Sequence, residues 1–357
     1  MHRNVKNVPY YIFGKGSLAQ LGELVSERRK AAGTTAVFFL DHFFRDGDLA
    51  ARLPVEQGDK LLYVDATKEP TTDYMDALAA QVREAGAPPC CMTAIGGGST
   101  MDACKAVANL MTNPGLAEEY QGWDLVKNPA VYKIAVPTLA GTGAECSRTC
   151  VLSNEKKRIK LGMNSDHSVF DQVVMDPELT RSVPRNQFFY TGMDTYMHCF
   201  ETLTGTYRNR IVDALAEKAV SMCEEIFLSD DMMSEVNLEK MMIASYLGGM
   251  AAGFVGVVHP FSAGLSVTLH ARHGIANCHA LSVLEDFYPE QHAAFMRMME
   301  RQQVSLPKGI CRNLNAGEYE TLYHGTIVHE KPLTNRLGPD FKNILTKESV
   351  IERFKRM

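Results

Sequence analysis

No run of about 18 consecutive apolar residues occurs anywhere in these 357 residues, which leaves no candidate for a membrane-spanning helix. The opening segment MHRNVKNVPYYIF lacks the apolar stretch of a secretory leader, so a cytoplasmic location is expected. A basic excess is missing too. Lys and Arg number 37 against 42 Asp and Glu, a formal charge of −5, which argues against nucleic acid or any other polyanion as partner. Paired cysteines are absent: the nine, at 90, 91, 104, 146, 150, 199, 223, 278 and 311, are odd in number and include no CxxC. Scattered through apolar segments, they read as reduced thiols, not as a disulfide framework or a zinc site. There are no internal repeats and no low-complexity tract.

What is present is a globular composition, 45% apolar and 22% charged. The chain exceeds the roughly 250 to 300 residues at which one core stops growing, so two domains are expected. Up to about residue 180, short apolar runs alternate with polar, helix-like segments: TTAVFFLD (34–41), KLLYVDA (60–66), CCMTAIGGG (90–98) and YKIAVPT (132–138). That alternation predicts βαβ units and a mostly parallel sheet. From about 186 onward, apolar residues recur near every 3.6 positions over 186–228 and 235–258, which predicts an all-helical second half. MDPELTRSVPRN (175–186), with two prolines, reads as the hinge. The expected division is an α/β dinucleotide-binding domain over 1–180 and an all-α, metal-binding domain over 181–357.

In CCMTAIGGGSTMDACKAVANL an apolar strand runs into three glycines, a Ser/Thr pair and a helix with Asp102 and Lys105 near its start. Glycines admit a pyrophosphate close to the backbone, and a helix N-terminus offers it unpaired N–H groups. An ordinary βα turn capped by Ser99 or Thr100 would look the same. PTLAGTGAEC (137–146) again joins Gly to Thr after an apolar run, so two loops at strand ends can face one ligand. Asp41, ending the strand in FFLDHFF, can accept from an adenosine ribose hydroxyl and repel a 2′-phosphate, or simply cap a helix.

GMDTYMHCFE places Asp194 and His198 four apart on one helix face, with Glu201 on the same side. Downstream, His259, His270, His273 and His279 fall within 21 residues. Unpaired polar groups in such an apolar stretch cost several kcal/mol, and a metal would satisfy them. One carboxylate with neutral imidazoles suits Zn²⁺ or Fe²⁺ better than Ca²⁺ or Mg²⁺.

FGKGSLAQLGEL, GGGSTMDACK, PTLAGTGAE, MDPELTRSVP, GMDTYMHCFE and RHGIANC together resemble, in order and over nearly the whole chain, the iron-containing (group III) alcohol dehydrogenase family. The resemblance implies the dehydroquinate synthase-like fold, NAD in preference to NADP, and a divalent Fe²⁺ or Zn²⁺. It implies cofactor contacts at Asp41, Gly97, Gly98, Ser99, Asp102, Thr138, Thr142 and Lys160, and metal ligation by Asp194, His198, His259 and His273. A further histidine common four residues after the third ligand is here Ala263, and His270 is expected to take over its proton-relay role. HPFSAGLSVTLHARHGIANC is most similar to the branch that oxidises the C8 alcohol of the sugar acid 3-deoxy-D-manno-octulosonate (Kdo). Arg148, Arg208 and Arg272 are the candidates for its carboxylate. The expected partner is a small alcohol or sugar acid, and a homodimer is the one assembly allowed for. A general short-chain or polyol dehydrogenase is the alternative within the family. A lyase of the dehydroquinate synthase type would carry Glu in place of Asp194 and a basic phosphate pocket, and a non-catalytic scaffold would not need four intact ligands.

Overall fold

The computed structural model describes residues 6–357; residues 1–5, part of the segment read for a leader, lie outside the described residues. By its internal contacts the chain divides into two units. The first holds Met1–Leu139, Ala144–Asn154 and Leu161–Ser182; the second holds Ala140–Gly143, Glu155–Lys160 and Val183–Met357.

Among the described residues the first unit is built on nine strands: β1 (Tyr10–Phe13), β2 (Val37–Asp41), β3 (Lys60–Val64), β4 (Met92–Gly96), β5 (Gly122–Trp123), β6 (Lys133–Pro137), β7 (Thr149–Asn154), β8 (Ile159–Asn164, whose first two residues group with the second unit) and β9 (Gln172–Met175). Six form one sheet in the order β1-β9-β6-β4-β2-β3, every registered pair parallel. Parallel strands need covering on both faces, which is why β2, β4 and β6 read as continuous apolar runs. Phe38, Leu40, Ile95, Ile134 and Val136 pack on one face with Leu21 and Val25 of helix α1 (Leu21–Ala32). Val37, Phe39, Met92 and Ala94, one residue out of step, are equally buried. Helices α2 (Asp48–Ala51), α3 (Thr72–Arg83) and α4 (Gly98–Leu110) complete the crossovers. The four strands expected from sequence are all present. Missed were β1 and β9, four residues each and too short to show a period, and the small sheet β5-β8-β7.

The second unit contains helices α5 (Arg185–Thr204), α6 (Arg210–Phe227), α7 (Glu235–Ala251), α8 (Val258–Leu269), α9 (His273–Leu281), α10 (Pro289–Arg301), α11 (Ala316–Ile327), α12 (Glu330–Leu337), α13 (Phe341–Ile344) and α14 (Lys347–Lys355). Helix α5 is its axis, buried almost continuously from Phe188 to Thr202, as expected of a helix enclosed by others. The segment Ala140–Gly143 presses against this axis. Thr195 Oγ1 donates to Gly141 O at 2.5 Å. A Cβ on Gly141 would stand 2.1 Å from Thr191 O, and one on Gly143 2.3 Å from Gly249 Cα. Both glycines also have positive φ, +138° and +63°. Among the described residues no helix is long and apolar enough to cross a membrane.

Gly141→Ala should combine backbone strain with this collision and cost about 2–3 kcal/mol. Gly33→Ala, at φ +68° with nothing within 4 Å, should cost only about 1 kcal/mol. Thermal melts of the two variants check this; equal losses would mean that the contact with α5 contributes nothing.

Candidate metal centre

Helix α5 contributes Asp194 and His198, one turn apart and both buried. Helix α8 contributes His259 in its first turn, and α9 contributes His273 at its first position. One ligand atom from each of the four lies within 4.8 Å of the others. Around Asp194 Oδ1, the Nε2 atoms of His259, His198 and His273 stand at 3.1, 3.5 and 3.5 Å. Donors about 2.1 Å from one tetrahedral ion are about 3.4 Å apart, so this spacing is that of a ligand set. Asp194 Oδ2 is moreover buried with no hydrogen-bond partner, a charged oxygen that a cation beside the carboxylate would compensate. The donor set and this orphaned oxygen fit a divalent transition metal.

The surroundings hold the ligands in place. Asn277, one turn after His273, donates to Asp194 Oδ1 at 2.6 Å. Glu201, one turn after His198, lies 2.5 Å from His259 Nδ1. The rings of His198 and His259 stack at 4.5 Å. The spacing HGIANC made Asn277 findable, whereas the contact of Glu201 with His259 joins two helices and gave no signal.

Burial alone would raise the Asp194 carboxyl, but the charges of His198 and His273, with hydrogen bonds from His259 and His273, hold it well below the usual range. Glu201 is likewise lowered against its burial, chiefly by His259. Burial pushes His198 down to about 4, against the pull of Asp194. His259 is opposed by burial as well, yet its hydrogen bonds to Asp194 and Glu201 lift it to about 9. In the metal-free site, one proton on His259 sits between two carboxylates.

The other histidines stay apart. His279 is buried on α9, where burial pushes it down to about 4, and it does not join the cluster. His270 ends α8 in the left-handed region (φ 53°, ψ 29°) and is exposed. It shares no helix with His273, so their spacing of three does not put the two side chains on one face. Cys146 and Cys150 are buried outside the cluster, and none of the nine cysteines is bridged in a disulfide.

In the first unit, β6, β4 and β2 are neighbours, and the strand order reverses between β4 and β2. Asp41 ends β2, Gly97, Gly98 and Ser99 follow β4 into α4, and Thr138 follows β6, its N–H donating to Gly96 O at 3.0 Å. These are the carboxyl ends of adjacent parallel strands at a switch point, where open α/β sheets take ligands. Asp41 also accepts from Phe43 N at 3.0 Å, so its capping role is present. Asp102 Oδ2 accepts from Val151 N at 2.9 Å and ties α4 to β7. Thr142 and Lys160 group instead with the helical unit, where buried Lys160 Nζ lies 3.4 Å from Ser266 Oγ.

A doubly wound parallel sheet joined in one chain to a buried Asp/His cation site fits the class of metal-dependent nicotinamide oxidoreductases. A family model described as "Iron-containing alcohol dehydrogenase" matches residues 9–177, and one described as "Fe-containing alcohol dehydrogenase family, C-terminal" matches residues 188–320. The chain belongs to the iron-containing alcohol dehydrogenase family, with that family's divalent metal and NAD as cofactors. It is 29% identical over 288 residues to the sulfoacetaldehyde reductase of Bilophila wadsworthia, covering 77% of this chain and 71% of that protein. It is 34% identical over 190 residues to alcohol dehydrogenase 4 of Saccharomyces cerevisiae, covering 52% of this chain and 50% of that one. The fold is shared with the crystal structure of sulfoacetaldehyde reductase from Bifidobacterium kashiwanohense in complex with NAD+ (TM-score 0.79, 22% identity, 99% of this chain and 98% of that chain). Both matched models describe the dehydrogenase family.

A ligating imidazole must be neutral at the ligand nitrogen. At pH 7 His259, at about 9, carries a proton that binding must expel, while His198, at about 4, carries none. Zn²⁺ binding should therefore release about one proton at pH 7, and apparent affinity should rise about tenfold per pH unit between 6 and 8. Calorimetric titration in buffers of different ionisation enthalpy counts the proton; no release would mean that His259 is neutral in the metal-free protein.

Proposed function

We propose that this alcohol oxidoreductase converts the C8 hydroxyl of Kdo to the aldehyde. What supports this finer reading is the local likeness of HPFSAGLSVTLHARHGIANC and, above all, the position of Arg272. Arg148 is engaged by Asp124 and Asp166, and Arg208 by Asp213. Arg272 is the exposed N-cap residue of α9, directly before the ligand residue His273. A cation there suits a substrate whose hydroxyl is handled by the centre and whose far end carries a carboxylate.

Asp194, His198, His259 and His273 would hold the cation, which as a Lewis acid would make the alcohol oxygen more acidic while NAD+ takes the hydride. Asn277 keeps Asp194 oriented toward the imidazoles. Asp41, Gly97, Gly98, Ser99, Asp102, Thr138, Thr142 and Lys160 form the proposed dinucleotide contacts, the start of α4 presenting its N–H groups to the pyrophosphate. Asp41 beside the ribose favours NAD over NADP. His270, exposed at the end of α8, is the proposed carrier of the alcohol proton to solvent.

A panel of alcohols with NAD+ tests the substrate. Arg272→Gln should raise KM for Kdo about tenfold or more and leave KM for an uncharged primary alcohol unchanged, the loss of one charge-assisted contact. Equal effects on both substrates, or no turnover of Kdo by the wild type, would leave the general alcohol dehydrogenase reading.

For the proton, His270→Ala should lower kcat about a hundredfold at unchanged metal content. Wild-type turnover in this variant would remove His270 from the reaction.

A further inference from the structure

Glu201 is wholly buried, and its two oxygens have different tasks. Oε1 receives Val258 N at 2.7 Å and the Tyr288 hydroxyl at 2.9 Å, while Oε2 faces His259 Nδ1 at 2.5 Å. Tyr288 is also buried, its hydroxyl accepting from Val257 N at 3.0 Å. The Arg336 guanidinium lies 5.0 Å over the Tyr288 ring and donates to Phe287 O at 2.6 Å and Thr204 O at 3.1 Å. Gly256 leaves the space these groups need: a Cβ there would stand 2.4 Å from the Tyr288 hydroxyl and 3.0 Å from Glu201 Oε1.

We propose that Glu201, held by Tyr288, is a positioning residue that fixes His259 in the one tautomer able to bind the metal. The inference rests on the metal reading given above. A neutral imidazole has one N–H and one lone pair. His259 Nε2 is the atom in the ligand cluster, 3.1 Å from Asp194 Oδ1, so the lone pair belongs there and the hydrogen on Nδ1. Glu201 Oε2 is the acceptor that keeps it there. The carboxylate cannot turn away, because two donors converge on its other oxygen. A carboxylate behind a ligating imidazole also makes that ligand more basic.

Glutamine at 201 keeps the shape but not the pattern. With its oxygen toward Val258 and Tyr288, its NH₂ faces His259 Nδ1 and drives the hydrogen onto Nε2, the ligand atom. With the amide reversed, NH₂ meets the Val258 N–H. The first arrangement takes the lone pair from the ligand atom; the second leaves the Val258 N–H without its acceptor.

Zn²⁺ affinity, measured by competition with a chelator on the full chain, is the readout, together with melting of the metal-free protein. Glu201→Gln should weaken Zn²⁺ binding about 100-fold and Tyr288→Phe about tenfold, with metal-free melting temperatures close to wild type. The double variant should bind no worse than Glu201→Gln alone, because both act through His259. Tight wild-type binding with Glu201→Gln within twofold of it, or losses that simply add, would overturn the inference alone. A wild type that fails to bind Zn²⁺, or an Asp194→Ala variant that binds as the wild type does, would overturn the metal reading and this inference with it.

Discussion

Two carboxylates on one helix, Asp194 and Glu201, have no exposed surface, and the helical unit is arranged around compensating them. An ionised carboxylate taken out of water without a partner costs several kcal/mol even after relaxation. Both are nevertheless held below their ordinary pKa, so both are charged. The first turn of α8 supplies the Val258 N–H and His259, and the first residue of α9 is His273, so two positive helix ends accompany the imidazoles. One proton on His259 leaves that pair with a net charge of −1. One divalent cation with three neutral imidazoles brings it to zero. The charge count itself thus calls for a divalent ion, beyond what the ligand types alone imply.

Such a set works only if three helices place their four side chains within a few tenths of an ångström, and small residues on α5 and on α7 beside it make that approach possible. A Cβ on Gly192 would meet Phe227 Cζ at 2.4 Å, and one on Gly248 would meet Thr195 Cγ2 at 2.8 Å. A glycine inside a helix costs about 0.5–1 kcal/mol relative to alanine. Here that cost is smaller than the collision it avoids, and the gain is that α6 and α7 grip the helix carrying Asp194 and His198. Asp194 and His198 are thus carried by a helix that its neighbours enclose.

What the sequence revealed and what it hid divide along range. Asp194 and His198 show as a local i, i+4 pair, and GGGS after an apolar run shows as a strand entering a helix. Strand β2 was legible because FFLD is buried on both faces and leaves an unbroken apolar run. The YYIF of β1 is apolar too, but it is exposed or half-exposed throughout and, at four residues, too short to show a period. The partners of Glu201 are 57 residues away at Val258 and 87 away at Tyr288, so no local pattern could announce them. The local conformation of His270 was hidden for a related reason. Three residues from His273 is a shared face only if one helix continues through both, and the chain takes a left-handed step at His270 itself.

The division of the chain is also less simple than a single hinge. The chain passes between the two units at 139/140, 143/144, 154/155, 160/161 and 182/183. Four of those passages precede the segment MDPELTRSVPRN, and they deliver Thr142 and Lys160 to the helical unit. The polypeptide from Val183 onward therefore lacks parts of its own packing: the Gly141 carbonyl that receives Thr195 Oγ1, the close contact of Gly143 with Gly249, and the Lys160 amine beside Ser266. Thr195 stands next to Asp194 on α5, so one of those borrowed segments touches the turn of helix that carries the metal carboxylate. Composition and periodicity place a boundary near 180, but the helical unit also includes two short segments, Ala140–Gly143 and Glu155–Lys160, that precede it in sequence.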